Sequence, residues 1–171
     1  MKKILRLIRN KLQYIRRYKD LKIIKSYLLK NNLSIFSMNC FGGHIYQDLN
    51  WVYMSPTAGL FFYAEDFIRI CENISIIQNK IIFINQSKHI NGSVKYPIGQ
   101  FKGTNIEIHF LHYHNNEEAL SKWNRRVSRF NFKNYIIIGF WQNECNEEIL
   151  KNFINLSFSN IFKNIFLFSY G

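Results

Sequence analysis

The sequence predicts a layered α/β/α domain with a mixed, largely parallel sheet, preceded by a basic amphipathic helix at the N-terminus. Three observations lead there. Short apolar runs rich in Ile and Phe alternate with amphipathic stretches, a Gly-containing turn follows the first of those runs, and the charge excess is confined to the first thirty residues. At 171 residues, 47% apolar and 17% aromatic, the chain suits one packed core. The expected division is an arm over 1–30 and a single domain over 31–171.

The arm comes first. Residues 1–30 carry eleven basic side chains and one acid, Asp20, so +10 of the net +12 lies there. Ile4, Leu5, Ile8, Leu12 and Ile15 recur at helical spacing, and Leu21, Ile24, Leu28 and Leu29 continue the rhythm. Such a helix can lie in the headgroup layer of an anionic membrane, its lysines and arginines each attracted by roughly 1 kcal/mol. The alternative is that the stripe packs on the domain and the charges are solvated. Charges interrupt every apolar run, so neither a signal peptide nor a membrane span is expected. The chain is read as cytoplasmic and peripheral on the inner membrane face. A nucleic-acid partner is not expected, because a binding fold would spread its positive charge over the domain.

Along the domain, 33–38 reads as a strand that runs into the turn Asn39-Cys40-Phe41-Gly42-Gly43, with a short helix after it. Residues 64–76 read as one helix, 81–84 as a strand, 85–95 as a polar surface loop and 106–111 as a strand. A strong helix follows over 117–130, then a buried strand over 135–140, a helix over 147–156 and a last strand over 161–168. Apolar strands of this kind suit cover on both faces. Cys40, Cys71 and Cys145 are odd in number and form no CxxC pair, so neither a disulfide framework nor a cysteine metal site is indicated.

Three stretches could carry chemistry. The turn Asn39-Cys40-Phe41-Gly42-Gly43-His44 sits at the carboxyl end of the first strand, where open α/β sheets place ligands and where amides can cradle an oxyanion. Cys40 could be a nucleophile there, or simply a small buried side chain. Next, His109, His112 and His114 end a strand, whose alternation would bring His112 and His114 to one face near Cys40. Two histidines could also ligate a metal, but no third ligand is marked and none is assigned. Finally, Lys122, Arg125 and Arg129 share an outer helix face flanked by Arg126, a row suited to phosphate or carboxylate, while Leu120, Trp123, Val127 and Phe130 form the buried stripe. The plain alternative is a solvated face tied by Glu118 to Lys122.

In Ser37-Met38-Asn39-Cys40-Phe41-Gly42-Gly43, Ser55-Pro56-Thr57, Tyr96-Pro97-Ile98-Gly99, Phe110-Leu111-His112-Tyr113 and Lys122-Trp123-Asn124-Arg125-Arg126, the chain resembles the bacterial family called domain of unknown function 1919. Its members are commonly labelled exopolysaccharide biosynthesis proteins. The resemblance covers roughly residues 34–131 and implies work on lipid-linked polysaccharide precursors at the cytoplasmic membrane. It transfers no catalytic assignment.

The leading expectation is therefore a transferase of exopolysaccharide or capsule assembly. Asn39, Gly42, Gly43, Lys122, Arg125, Arg126 and Arg129 would hold a nucleotide-sugar or other phosphorylated donor. His112 would be the general base with His114 beside it, and Ser55, Thr57 and Trp123 would line the substrate. A second version makes Cys40 the nucleophile of an acyltransferase or hydrolase. The reading from another class is a non-catalytic glycan-binding or assembly scaffold.

Overall fold

The computed structural model of the protein describes residues 19–141, 147–158 and 165–169. Residues 1–18 of the basic arm, with Ile4 to Ile15 of its apolar stripe, lie outside them, as does Cys145. Residues 19–30 are helical and form α1. Asn32 stops this helix in the left-handed region at φ 46°, which asparagine tolerates, and Leu33 N–H then donates back to Leu28 O at 2.9 Å. The stripe read along this helix divides in two. Leu28 is buried and Leu21 packs on the core, whereas Ile24 and Leu29 are exposed, as are Ile23 and Tyr27 outside the stripe. Lys25 ties α1 to the domain by donating from Nζ to Leu49 O at 3.1 Å.

The domain continues as β1 (Ser34–Ser37), α2 (Phe41–Asp48), α3 (Ala64–Glu72), a 3-10 turn (Ile74–Gln78), β2 (Ile81–Ile84), β3 (Ile98–Phe101), β4 (Glu107–His109), α4 (Asn116–Val127), β5 (Tyr135–Trp141), α5 (Glu147–Phe158) and β6 (Ile165–Ser169). The mixed α/β class is as expected, but the strands divide between two sheets rather than sharing one. In the parallel sheet β5 lies between β1 and β6; in the antiparallel sheet β3 lies between β2 and β4. Strand β3 was not legible because Gly99 and Gln100 break the apolar alternation. Gly99 is needed there, since a Cβ would come within 2.7 Å of Ile81 and 2.9 Å of Phe110.

The expected helix over 64–76 is interrupted at Asn73 (φ −144°, ψ 81°), whose Oδ1 accepts from Ser75 Oγ at 2.5 Å. A local side-chain bond of this kind competes with the helix ladder. The strand expected over 106–111 ends at His109, because Leu111 N–H turns back to His109 O and Tyr113 N–H to Phe110 O.

The extended segment 60–63 stitches the two sheets together. Phe62 N–H donates to Met38 O at 2.9 Å just past β1, and Phe61 exchanges both backbone bonds with His109 on β4 at 3.0 Å. Phe36 of β1 stacks on Phe67 at 5.6 Å and meets Phe62 at 5.9 Å, so one aromatic cluster continues from strand to helix. Trp123 anchors a second aromatic group on α4, 1% exposed and 5.8 Å from the ring of Phe101.

Candidate functional site: a cationic cavity at the end of β1

The chain leaves β1 through a turn held by buried hydroxyls. Ser37 Oγ donates to Asn39 O at 2.6 Å and accepts from Gly42 N–H at 3.1 Å, and it lies 3.0 Å from Thr57 Oγ1, which lies 2.8 Å from Ser55 Oγ. Asn39 Oδ1 accepts Phe41 N–H at 3.0 Å. These bonds set the start of α2, and glycines let it settle. A Cβ on Gly42 would stand 2.6 Å from Ser37 Oγ, and one on Gly43 would stand 3.1 Å from the backbone of Ala58.

Between α2, the 53–59 segment and α4 lies a cavity of about 370 Å³ lined by Cys40, Gly43, His44, Gln47, Tyr53, Ala58, Gly59, His112, Tyr113, Lys122 and Arg126. Gly59 shapes its floor at φ 78°, a left-handed conformation, while its carbonyl accepts His112 N–H at 3.1 Å. Arg126 is the least ordinary residue in the wall. It is only 7% exposed, yet its partners are neutral: Nη1 donates to Ala58 O at 2.6 Å and to Tyr113 Oη, and the guanidinium lies 4.6 Å over the Tyr53 ring. Among the described residues its Nε has no hydrogen-bond partner and no carboxylate pairs with it. Holding an unpaired charge out of water is costly, so such a site favours an anion.

Lys122 stands one turn before Arg126, 5.5 Å from the Tyr113 ring, and donates to Glu118 Oε1 at 2.6 Å. That bond holds the Glu118 carboxyl below its ordinary range. Burial raises the Tyr113 phenol and the charge of Arg126 opposes the rise; Tyr113 donates to Ala58 O at 2.6 Å. His44 Nδ1 lies 3.0 Å from Gln47 Oε1, which has no proton to give, so Nδ1 is the donor and Nε2 is left for a ligand. Gln47 Nε2 in turn donates to Tyr53 Oη at 3.0 Å. No acidic side chain lines the cavity among the described residues.

The cavity brings together Cys40, Gly43, His112, Lys122 and Arg126 of the residues singled out from the sequence. The others lie elsewhere. Asn39, Gly42, Ser55 and Thr57 build the turn from behind, the last three fully buried, and Trp123 belongs to the core as its place in the apolar stripe required. Arg125 and Arg129 do not line the cavity: Arg125 lies on the exposed side of α4, whose Lys122 and Arg126 reach the cavity, and Arg129 falls in the turn past the helix end. His114 does not share a face with His112. The two fall in the turn after β4, where strand alternation no longer applies, and His114 borders a different cavity. Cys71 is a fully buried core thiol whose ionisation burial pushes well up.

The sequence assigns no role to several polar residues, although His44 and Tyr113 lie in the stretches it singles out. His44, Tyr53 and Tyr113 wall the cavity, and a second cluster lies behind β4. There Asp66 accepts from Lys88 Nζ at 2.6 Å, meets His89 Nε2 at 2.8 Å and accepts Glu107 N–H at 3.1 Å; Glu107 accepts from Ser87 Oγ at 2.6 Å and Lys88 N–H at 2.9 Å. These bonds clasp the stretch read as a free surface loop. The one hint in the sequence was Asp66, a charge on the otherwise apolar buried face of α3.

The fold and the cavity thus define a small α/β domain with a tyrosine-walled, positively charged cavity at the carboxyl end of a parallel strand, where such sheets commonly bind ligands. The chain belongs to the family described as Domain of unknown function (DUF1919), whose model matches residues 10–168. It is also similar to an uncharacterized protein of Haemophilus influenzae (strain ATCC 51907 / DSM 11121 / KW20 / Rd), 31% identical over 134 residues. That match covers 78% of this chain and 61% of the relative, so the chain spans under two thirds of the relative's length.

Proposed function

We propose that this chain is a transferase of surface-polysaccharide assembly that holds a phosphorylated or nucleotide-linked sugar donor in the Arg126 cavity. The observation that carries the reading is Arg126 itself, a buried guanidinium that, among the described residues, has no carboxylate partner and no acid in the cavity lining it shares with Lys122, His44 and His112. Phosphate oxygens match the forked donors of an arginine, and Tyr53 and Tyr113 offer faces for a base or a sugar ring. His112, exposed at the rim, is the general base of this reading. The polysaccharide setting rests on the family resemblance of the motifs.

The test is a thermal-shift screen of the full chain against nucleotide sugars, acyl-CoA thioesters and divalent metals, since a ligand of the folded state raises the melting temperature. A rise with nucleotide sugars that Lys122→Ala removes is the expected result. No rise with any phosphorylated compound moves the weight to a scaffold. Cys40 in the same wall favours one second reading, a cysteine acyltransferase. A rise with the acyl thioesters alone, together with loss of acyl transfer in Cys40→Ser, is its signature.

The same proposal places the protein in the cytoplasm, peripheral on the inner membrane face. Its support is the exposed face of α1, where Ile23, Ile24 and Tyr27 stand together in a segment whose charge is strongly positive.

A further inference from the structure

A larger cavity of about 600 Å³ opens at the N-terminus of α4, walled by Asn85, Tyr96, His114, Asn116 and Glu117 among others. Its chemistry differs from that of the Arg126 cavity. Amides, a phenol, an imidazole and one carboxylate offer both donors and acceptors with a single lysine, Lys95, in the lining. Such a mixture suits hydroxyl groups better than phosphate. The two cavities are neighbours along the chain, since His112 and Tyr113 wall one and His114 and Asn115 wall the other.

Both sides of this second cavity are held in place. Asn115 caps α4 by accepting Glu118 N–H at 2.8 Å, and Glu118 accepts His114 N–H at 3.0 Å, a reciprocal cap that fixes the His114 backbone. The opposite wall is the stretch clasped by Asp66 and Glu107.

Behind Tyr96 stands a buried relay. Tyr96 Oη lies 3.4 Å from His109 Nδ1, and His109, 0% exposed, stacks on Phe61 at 4.8 Å. Its other nitrogen, Nε2, makes no directed hydrogen bond and faces Glu107 Oε2 at 3.5 Å. Burial holds the imidazole neutral, so with the proton on Nε2, towards Glu107, the lone pair of Nδ1 is turned to the phenol. A buried carboxylate and an under-satisfied buried imidazole in line with a cavity tyrosine are a poor choice for stability alone.

We infer that the cavity beside α4 binds the hydroxyl-bearing sugar acceptor, and that Tyr96, held by His109 and Glu107, positions that sugar for reaction. The inference rests on the transferase reading for its word acceptor. The proton of the reacting hydroxyl passes to His112, while Tyr96, donating its own proton to His109 Nδ1 in a hydrogen bond, accepts a hydrogen bond from the bound sugar. The freed oxygen lone pair forms the new bond to the anomeric carbon of the donor. The bond from that carbon to the donor phosphate breaks, and the phosphate keeps its electron pair beside Lys122 and Arg126. Relay hydrogen bonds that are long in the free protein tighten when the substrate is seated.

The experiment is a nitrogen-15 NMR titration of the full chain with neutral methyl glycosides in one series and inorganic pyrophosphate in another. Methyl glycosides are expected to move the Tyr96 and Asn116 amides and the His109 ring nitrogens while leaving Lys122 still. Pyrophosphate is expected to do the reverse. In Tyr96→Phe, which keeps the ring, glycosides still move Asn116 but no longer move the His109 nitrogens. Glycosides that leave the Tyr96 and Asn116 amides unmoved overturn the site, and a His109 response retained in Tyr96→Phe overturns the relay. If glycosides bind while pyrophosphate does not, the donor reading fails and the second site stands.

Discussion

Replacing His109 with glutamine removes a titration that the fold holds far from its ordinary position. The imidazole of His109 is pushed from 6.5 down to about 4, chiefly by burial, with the neighbouring charge of His89 acting the same way and those of Glu107 and Asp66 against it. The unfolded chain therefore binds a proton at this residue between about pH 6.5 and pH 4 that the folded chain refuses. Stability falls as the pH is lowered through that window, is unaffected by this residue above it, and changes no further below it. The displacement corresponds to about 3 kcal/mol, from about 1.4 kcal/mol for each tenfold change in proton affinity. Urea unfolding followed by tryptophan fluorescence, at neutral pH and near pH 4, measures it directly. His109→Gln lowers stability at neutral pH, because the stacking on Phe61 and the bond to Tyr96 are weakened. It should nonetheless lose about 3 kcal/mol less than the parent on acidification. Parallel pH profiles for the two proteins would refute the reasoning, since they would mean that the imidazole is not kept neutral by its surroundings.

Other changes test the packing and the arm. Gly42→Ala brings a methyl within 2.6 Å of Ser37 Oγ and disrupts the hydroxyl chain to Thr57; a loss of about 1–3 kcal/mol in urea unfolding is expected, with anion binding weakened alongside it. Gly139→Ala meets the Phe153 ring at 2.6 Å, so its melting temperature should drop and Phe153→Leu should recover much of it. Trp123→Ala, which empties a site 1% exposed, should cost about 3–5 kcal/mol by the same unfolding assay. The double change Ile23→Ser with Tyr27→Ser should lower co-sedimentation with vesicles containing phosphatidylglycerol and leave the melting temperature unaltered, because both side chains are exposed. Equal sedimentation of parent and variant would count against the membrane-facing role of α1.

Periodicity made the α/β class and most elements legible. The seven-residue run of β5 and the Glu117-to-Phe130 stripe are long enough for one pattern to dominate, and both formed within a few residues of the expected bounds. What failed had local causes. The two-sheet arrangement depends on which strands pair, and pairing partners are not written in a single strand's pattern. Strand β3 was hidden by Gly99, a residue present for close packing. The site was half legible for a similar reason. The turn after β1 announced itself through its glycines, and Lys122 and Arg126 through their charge. Yet the choice of Arg126 over Arg125 and Arg129 depends on how α4 is rotated on the core, which Trp123 and Ala119 decide by packing inward. The separation of His112 from His114 follows from β4 ending early. The Asp66–Glu107 cluster joins residues far apart in sequence, and only Asp66 betrayed it.

The central claim is that Arg126 and Lys122, and not Arg125 or Arg129, form an anion site. Isothermal titration of inorganic pyrophosphate into the parent protein, Lys122→Ala and Arg125→Ala tests it most directly, because both substitutions fall outside the buried core and neither should disturb folding. Saturable binding is expected, weakened about tenfold or more in Lys122→Ala, as for loss of one charge-assisted contact, and unchanged in Arg125→Ala. Absence of binding to the parent protein, or an equal loss in the two variants, would contradict it.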